Sequence, residues 1–211
     1  MLPLVLSACS SGAEGPVAKG SADGSRVVAD RTVRMVGTPT RPYSLPSLAV
    51  FARQAGVANV ISGTVTATRP LVSKPATTVE TILTISVERQ RDASAPTTVS
   101  VREQGGIVTV SQVRSAFDGK LGRELTEEEL AETVDYRYNG IEHARVGDRV
   151  LLVVADDTAV QKKSGAYVSL ARLVGEGTAE GVSQASSTTF TWPGEAPNPA
   201  WESTVDMESL M

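Results

Sequence analysis

The run Thr78–Glu88 constrains this chain more than any other stretch. Val79, Thr81, Leu83, Ile85 and Val87 fall on one parity, while Thr78, Glu80, Thr84, Ser86 and Glu88 fall on the other, and Ile82 alone is out of place. A period of two puts successive side chains on opposite faces of a strand, so this alternation has no helical reading. One face must be buried and the other meets water. Thr97–Glu103 repeats the pattern with Val99 and Val101 against Thr98, Ser100 and Arg102, across a polar turn at residues 90–96. The two runs are the natural antiparallel hairpin of the fold. Gly105-Gly106 closes it, with a bulge expected before Ile107–Val110.

Further strands follow from the same reasoning. Val57–Thr66 places Ile61 and Val65 on one parity, with Gly63 as a bend between them. Val150–Ala155 is apolar on both parities, so it must be covered on both faces and belongs at the centre of a sheet. Tyr167–Val174 and Ser187–Trp192 complete the set. Aromatic residues make up only 4% of the chain, so Val, Leu, Ile and Ala must fill its core. The abundance of β-branched residues favours strands.

Ser47–Gly56 carries helix signals: Ser47 as cap, Leu48, Phe51, Ala52 and Ala55 on one face, and Gly56 at the left-handed end. Such a helix would plug one end of a barrel. Between about 115 and 144 the strand pattern is lost. An insertion is expected there, with a capping box at Thr126–Glu129, a stripe of Leu125, Leu130 and Val134, and a tight turn at Tyr138–Ile141. The expected fold is mainly β: a small closed or nearly closed antiparallel, OB-like barrel with one or two short helices.

Cys9 is the chain's single cysteine, which excludes an intramolecular disulfide. It ends the sequence Leu6-Ser7-Ala8-Cys9 and precedes Ser10-Ser11-Gly12. This resembles the lipobox of bacterial lipoproteins, in which an apolar residue and two small ones precede a lipidated cysteine. The resemblance implies that Leu6 is the apolar position, Ser7 and Ala8 are the small ones, and Cys9 is the acyl acceptor and mature N-terminus. Acyl chains on one cysteine suffice for attachment. No run of about 18 apolar residues is present to span a bilayer.

Residues 1–8 contain no Lys or Arg and only half of a usual apolar region, so they read as the remnant of a signal peptide that starts upstream or was trimmed. Residues 9–42 read as the lipidated cysteine and a flexible linker, residues 43–192 as the barrel domain, and residues 193–211 as a mobile tail. Val27-Val28 and Val33–Val36 are the places in the linker that could pair as a short strand, and Trp201 the place where the tail could dock. A flexible linker of this length spans about 30 Å. Residues 47–192 also bear a loose similarity to uncharacterised bacterial envelope domains, carried by Gly63-Thr64-Val65, Gly105-Gly106 and Gly147-Asp148-Arg149. That similarity implies the barrel fold and no particular activity.

Several chemistries find no support. His143 is the only histidine, it stands in an apparent loop, and no Gly-x-Ser-x-Gly elbow accompanies it, so an exposed loop histidine is the expectation. One His and one acylated Cys cannot furnish a zinc site. Glu124, Glu127, Glu128, Glu129, Glu132 and Asp135 crowd together without the spacing of a calcium loop and read as a solvated acidic face. Asp156-Asp157 reads as a pair of turn formers, because neighbours on a strand end point apart. Phosphate-binding glycine loops are absent. A net charge of −4, with the last residues carrying Glu195, Glu202, Asp206 and Glu208 and no base, argues against nucleic acid.

No catalytic residue, metal or cofactor is therefore assigned. The expectation is a lipid-anchored protein facing outside the cytoplasm, non-enzymatic, that binds or scaffolds an envelope protein or glycan. The alternatives are an OB-like module for an oligosaccharide or peptide and a hydrolase built on dispersed carboxylates. Tyr136, Tyr138, Tyr167, Lys162 and Lys163 are the candidate ligand surface. A binding groove should gather several of these tyrosines with Phe117 and Trp192 on one concave surface, whereas a structural module should bury or scatter them.

Overall fold

The computed structural model describes residues 31–35, 45–73, 78–117, 123–158, 166–175, 188–194, 196 and 198–211. The strands are β1 (Arg31–Met35), β2 (Asn59–Ser73), β3 (Thr78–Gln90), β4 (Thr98–Gln104), β5 (Gly106–Thr109), β6 (Thr133–Tyr138), β7 (Arg149–Asp156), β8 (Ala166–Gly175), β9 (Thr189–Thr191) and β10 (Thr204–Asp206). Two short helices, α1 (Leu48–Ala52) and α2 (Glu127–Ala131), join them with 3-10 segments at Val110–Ala116 and Met207–Leu210.

Five of the strands close a barrel. β2 pairs with β3 and β3 with β4, β4 meets β8, β8 returns to β7, and β7 closes on β2. The expected OB-like barrel is present, with one correction: the β4–β8 ladder is parallel. Geometry requires it, since strands around a closed ring of odd number cannot all alternate in direction. The long connection from β4 to β8, which includes β5, β6 and β7, supplies the crossover that a parallel neighbour needs.

The barrel interior is packed by Ile61, Val65, Leu83, Ile85, Val99, Val101, Val150, Leu152, Val154 and Tyr167, the faces that the alternation singles out. Gly63 lies on the same inner face, where a Cβ would run into the Ser86 carbonyl oxygen. That close approach is why β2 carries a glycine there.

A second core lies outside the ring. Leu151 and Val153, on the other face of β7, pack with Val60, Leu173, Phe190 and the helix residues Leu48 and Ala52. β7 is thus covered on both faces, as its two apolar parities demand. α1 does not plug the barrel end: it lies on this outer layer, because its narrow stripe matches Leu151 and Val153 rather than an opening. Its Ser47 cap accepts a hydrogen bond from Val50 N at 3.2 Å, and Arg91 Nη1 donates to the Ala52 carbonyl at 2.6 Å across the far end.

The C-terminal segment departs most from expectation. Residues 198–211 form β10 and a 3-10 turn and bury Trp201, Val205, Met207 and Leu210 in the outer core. The reading of a mobile tail is therefore corrected, although Trp201 docks as anticipated. The acidic side chains masked the signal, since Glu202, Asp206 and Glu208 point outward from a segment in which Trp201, Val205, Met207 and Leu210 point in. Arg89 Nη1 pairs with Glu208 at 2.5 Å and Arg53 Nη2 donates to the Ser209 carbonyl at 3.3 Å, fastening the turn to β3 and α1.

The insertion is also more ordered and begins earlier than expected. β5 and β6 pair with each other, and β1, from within the expected linker, adds in parallel to β6 to complete a small sheet. Val79, Val108, Val110, Val113, Val134 and Tyr136 form its core, with Val33, Phe117, Leu125 and Leu130 against it. The linker reading is corrected at residues 31–35; residues 1–30, which carry the anchor motif, lie outside the described residues.

The capping box on α2 forms, with Thr126 Oγ1 accepting from Glu129 N at 3.2 Å and Glu129 Oε2 accepting from Thr126 N at 2.9 Å. Arg123 grips the same carboxylate at 2.6 and 2.8 Å. The Arg123 hydrogen bonds first, then the Thr126 N–H, hold the Glu129 carboxyl down to about 2. A carboxylate depressed in the folded state contributes fully above its ordinary range of about 4 and loses that contribution as pH falls towards the folded value. In an NMR titration, Glu129 should therefore protonate only as the pH approaches about 2, and the amide signal of Thr126 should move at that same low pH.

Candidate functional site

The residues proposed from sequence as a ligand surface do not come together. Tyr136 is 6% exposed in the core of the small sheet, and Tyr167 is 8% exposed in the barrel interior. Tyr138 is half-buried at the end of β6, while Phe117 belongs to the small core and Trp192 to the outer one. Tyr136 and Tyr167 are consumed as filler in cores otherwise made mostly of Val and Leu; burial raises the Tyr136 phenol above its ordinary pKa. Lys162, Lys163 and Cys9 lie outside the described residues.

The charged residues do assemble, but with one another. Asp135, 3% exposed, accepts from Arg137 Nε at 2.6 Å and lies 2.8 Å from His143 Nε2. His143 is therefore a held, largely buried residue rather than an exposed loop histidine. Asp157 is likewise more than a turn former: 4% exposed, it accepts from Arg102 Nη2 at 2.8 Å, and Arg102 also reaches Glu80 at 3.5 Å. Inside the barrel, Arg172 Nε bridges both oxygens of Glu103 at 3.1 Å, and Arg172 Nη2 donates to the Glu142 carbonyl.

Glu103 was legible, because it shares parity with Val99 and Val101 on β4. Arg172 was not: a bulge in β8, where Ala171 pairs with Val153 and Ser169 with Val154, switches the inward parity between Tyr167 and Arg172. These clusters neutralise their own charges, and each arginine sits where a buried carboxylate needs it. Among the described residues, no group of three or more His, Cys, Asp and Glu is placed to hold a metal ion.

Among the described residues, what remains open is the outer face of β2, β3 and β4. Register places Thr64 beside Ser86 and Ser86 beside Thr98, then Ala67 beside Thr84 and Thr84 beside Ser100. The next row is Arg69, Ile82 and Arg102. Ser86, Thr98, Ser100 and Arg69 are exposed, in contrast to Leu151 and Val153, which the outer layer covers completely. Glu88 edges the face, accepting from Thr64 Oγ1 at 2.9 Å and Arg149 Nε at 2.8 Å.

Such a surface offers hydroxyls that both donate and accept, the apolar side chains of Ala67 and Ile82, and the guanidinium of Arg69, with Arg102 beside it already held by Asp157. The backbone of β3 is already paired on both sides, so a ligand here meets side chains rather than adding a strand. The connection that carries Lys162 and Lys163 leaves β7 beside Asp157 and rejoins the barrel at Ala166, opposite Ser100. Sequence reasoning identified these residues as the wet face of the hairpin without assigning them to a site. Compared with known protein families, curated proteins and solved structures, the chain matches none.

Proposed function

We propose that this chain is a lipid-anchored envelope protein, attached through Cys9 and facing outside the cytoplasm, whose barrel is a non-enzymatic binding module for an envelope protein or glycan. The observation that carries the binding reading is the unequal covering of the barrel. α1 and the C-terminal segment cover the outside of β7, whereas the hydroxyl-rich face of β2, β3 and β4 keeps Ser86, Thr98 and Ser100 exposed. The attachment rests on the lipobox resemblance at Leu6–Cys9. The non-enzymatic reading is supported by the pairing of Asp135, Asp157 and Glu103 with Arg137, Arg102 and Arg172, which leaves these carboxylates committed to structure.

Arginine placed at Ser86 and Ser100 tests the binding face. Surface substitutions of this kind move stability by about 0.5 kcal/mol or less, so Ser86→Arg/Ser100→Arg should melt like the parent. Cross-linking in intact envelopes should then lose the adducts that the parent forms from this face. Retention of every adduct by the folded double variant would remove the face from the account.

A further inference from the structure

We infer that Asn139, in the turn after β6, is a modification site at which the chain deamidates spontaneously to aspartate and isoaspartate. The turn is the two-residue type that Asn-Gly favours: Asn139 has a φ of 52° and Gly140 a φ of 75°, and Ile141 N donates to the Tyr138 carbonyl at 3.0 Å. Both turn residues are exposed, and Asn139 is the only non-glycine with a positive φ among the described residues. The site stands apart from the barrel face and does not depend on it.

The reaction needs a backbone nitrogen beside the asparagine amide, and water. Gly140 N attacks Asn139 Cγ, and the new N–Cγ bond closes a succinimide ring. The Cγ–Nδ2 bond breaks, and Nδ2 leaves as ammonia with the proton that Gly140 N gave up. Water then opens the ring at one carbonyl or the other. Opening at Cγ gives aspartate; opening at the main-chain carbonyl gives isoaspartate, whose backbone runs through the former side chain. Nothing is oxidised or reduced, and solvent supplies the one co-reactant.

The fold leaves this nitrogen within reach. Gly140 N makes no hydrogen bond among the described residues, and a Cβ at Gly140 would meet nothing within 4 Å, so no neighbour obstructs ring closure. The Tyr138–Ile141 hydrogen bond opposes closure by holding the Asn139 backbone in the turn, but one such bond at the surface is a weak restraint. The chain's other two asparagines are internal controls. Asn59 is 1% exposed, and Val60 N, which would have to attack, donates instead to Asn59 Oδ1 at 2.8 Å. Asn198 precedes Pro199, whose nitrogen has no proton to give up. Isoaspartate at 139 lengthens the backbone of a turn that must deliver its successors in register: the Glu142 carbonyl accepts from Arg172 Nη2, and His143 Nε2 lies 2.8 Å from Asp135. The modification therefore loosens the tie between the insertion and the barrel.

Peptide mapping of the full chain, held native in mildly alkaline buffer and in parallel in concentrated urea, reads the exchange of NH for O at each asparagine. The Asn139 peptide should convert to a mixture of aspartyl and isoaspartyl forms, with the native rate within about tenfold of the rate in urea, the factor that one turn hydrogen bond supplies. Asn59 and Asn198 should stay intact in the native chain over the same period. Asn139→Asp, which reproduces one product, should melt like the parent, because aspartate also tolerates the left-handed turn conformation; the isolated isoaspartyl chain should melt below both. The inference is overturned if native Asn139 stays intact or converts more than about tenfold slower than in urea, if native Asn59 or Asn198 converts as fast as Asn139, or if the isoaspartyl chain melts with the parent.

Discussion

Replacing Arg172 by methionine while leaving Glu103 in place should cost about 3–5 kcal/mol of folding stability, the effect of stranding one partner of a buried ion pair. The side chains of Arg172 and Glu103 are only 7% and 11% exposed, and they lie on the inner faces of β8 and β4 among aliphatic residues. Without the guanidinium, the Glu103 carboxylate would have to remain charged in an apolar interior or take up a proton. The Glu142 carbonyl would also lose its donor, and with it a tie between the insertion and the barrel. Arg172→Met/Glu103→Leu should recover most of the loss, because well-packed apolar replacements of buried pairs are often neutral or stabilising. Urea unfolding of the single and double variants measures both quantities. Equal stability of the two would show that the pair is solvated and that β8 does not switch parity at its bulge.

Removing residues 198–211 should abolish cooperative folding. Trp201, Val205, Met207 and Leu210 cover Leu48, Leu151, Leu173 and Phe190 in the outer core. Burial of each large apolar side chain contributes about 1.5–3 kcal/mol, so four of them together rival a whole domain's stability of about 5–15 kcal/mol. The truncated chain should show a broad thermal transition and rapid amide exchange in α1 and β7. A milder version, Leu210→Ala, should cost about 2–5 kcal/mol and remain folded. A truncated chain that melts like the parent would restore the reading of these residues as a mobile tail.

Much of the barrel can be read directly from residue pattern. Alternation in Thr78–Glu88 and Thr97–Glu103 fixes the inner faces of β3 and β4, and the doubly apolar Val150–Ala155 demands two covered faces, which it has. What pattern cannot supply is the partner. Nothing local in Leu48–Ala52 distinguishes an end plug from an outer layer, and nothing in Arg31–Met35 announces a ladder with residues a hundred positions away. Short segments such as Thr204–Leu210 form only because distant apolar surface is there to receive them, so local propensity is a poor guide to them.

The candidate site shows the same division. Its hydroxyl face was visible as the wet parity of a hairpin, yet tyrosines were the more conspicuous residues, and burial took Tyr136 and Tyr167 out of reach.

The central claim, a binding barrel held at a membrane by its N-terminal cysteine, meets its most direct test in mass spectrometry of protein recovered from the membrane fraction. The account predicts that the mature chain begins at Cys9 and carries acyl mass there, and that Cys9→Ala leaves the protein out of that fraction. An unmodified peptide reading from Leu6 through Cys9 to Gly12, or a Cys9→Ala chain that stays with the membrane as before, would contradict it.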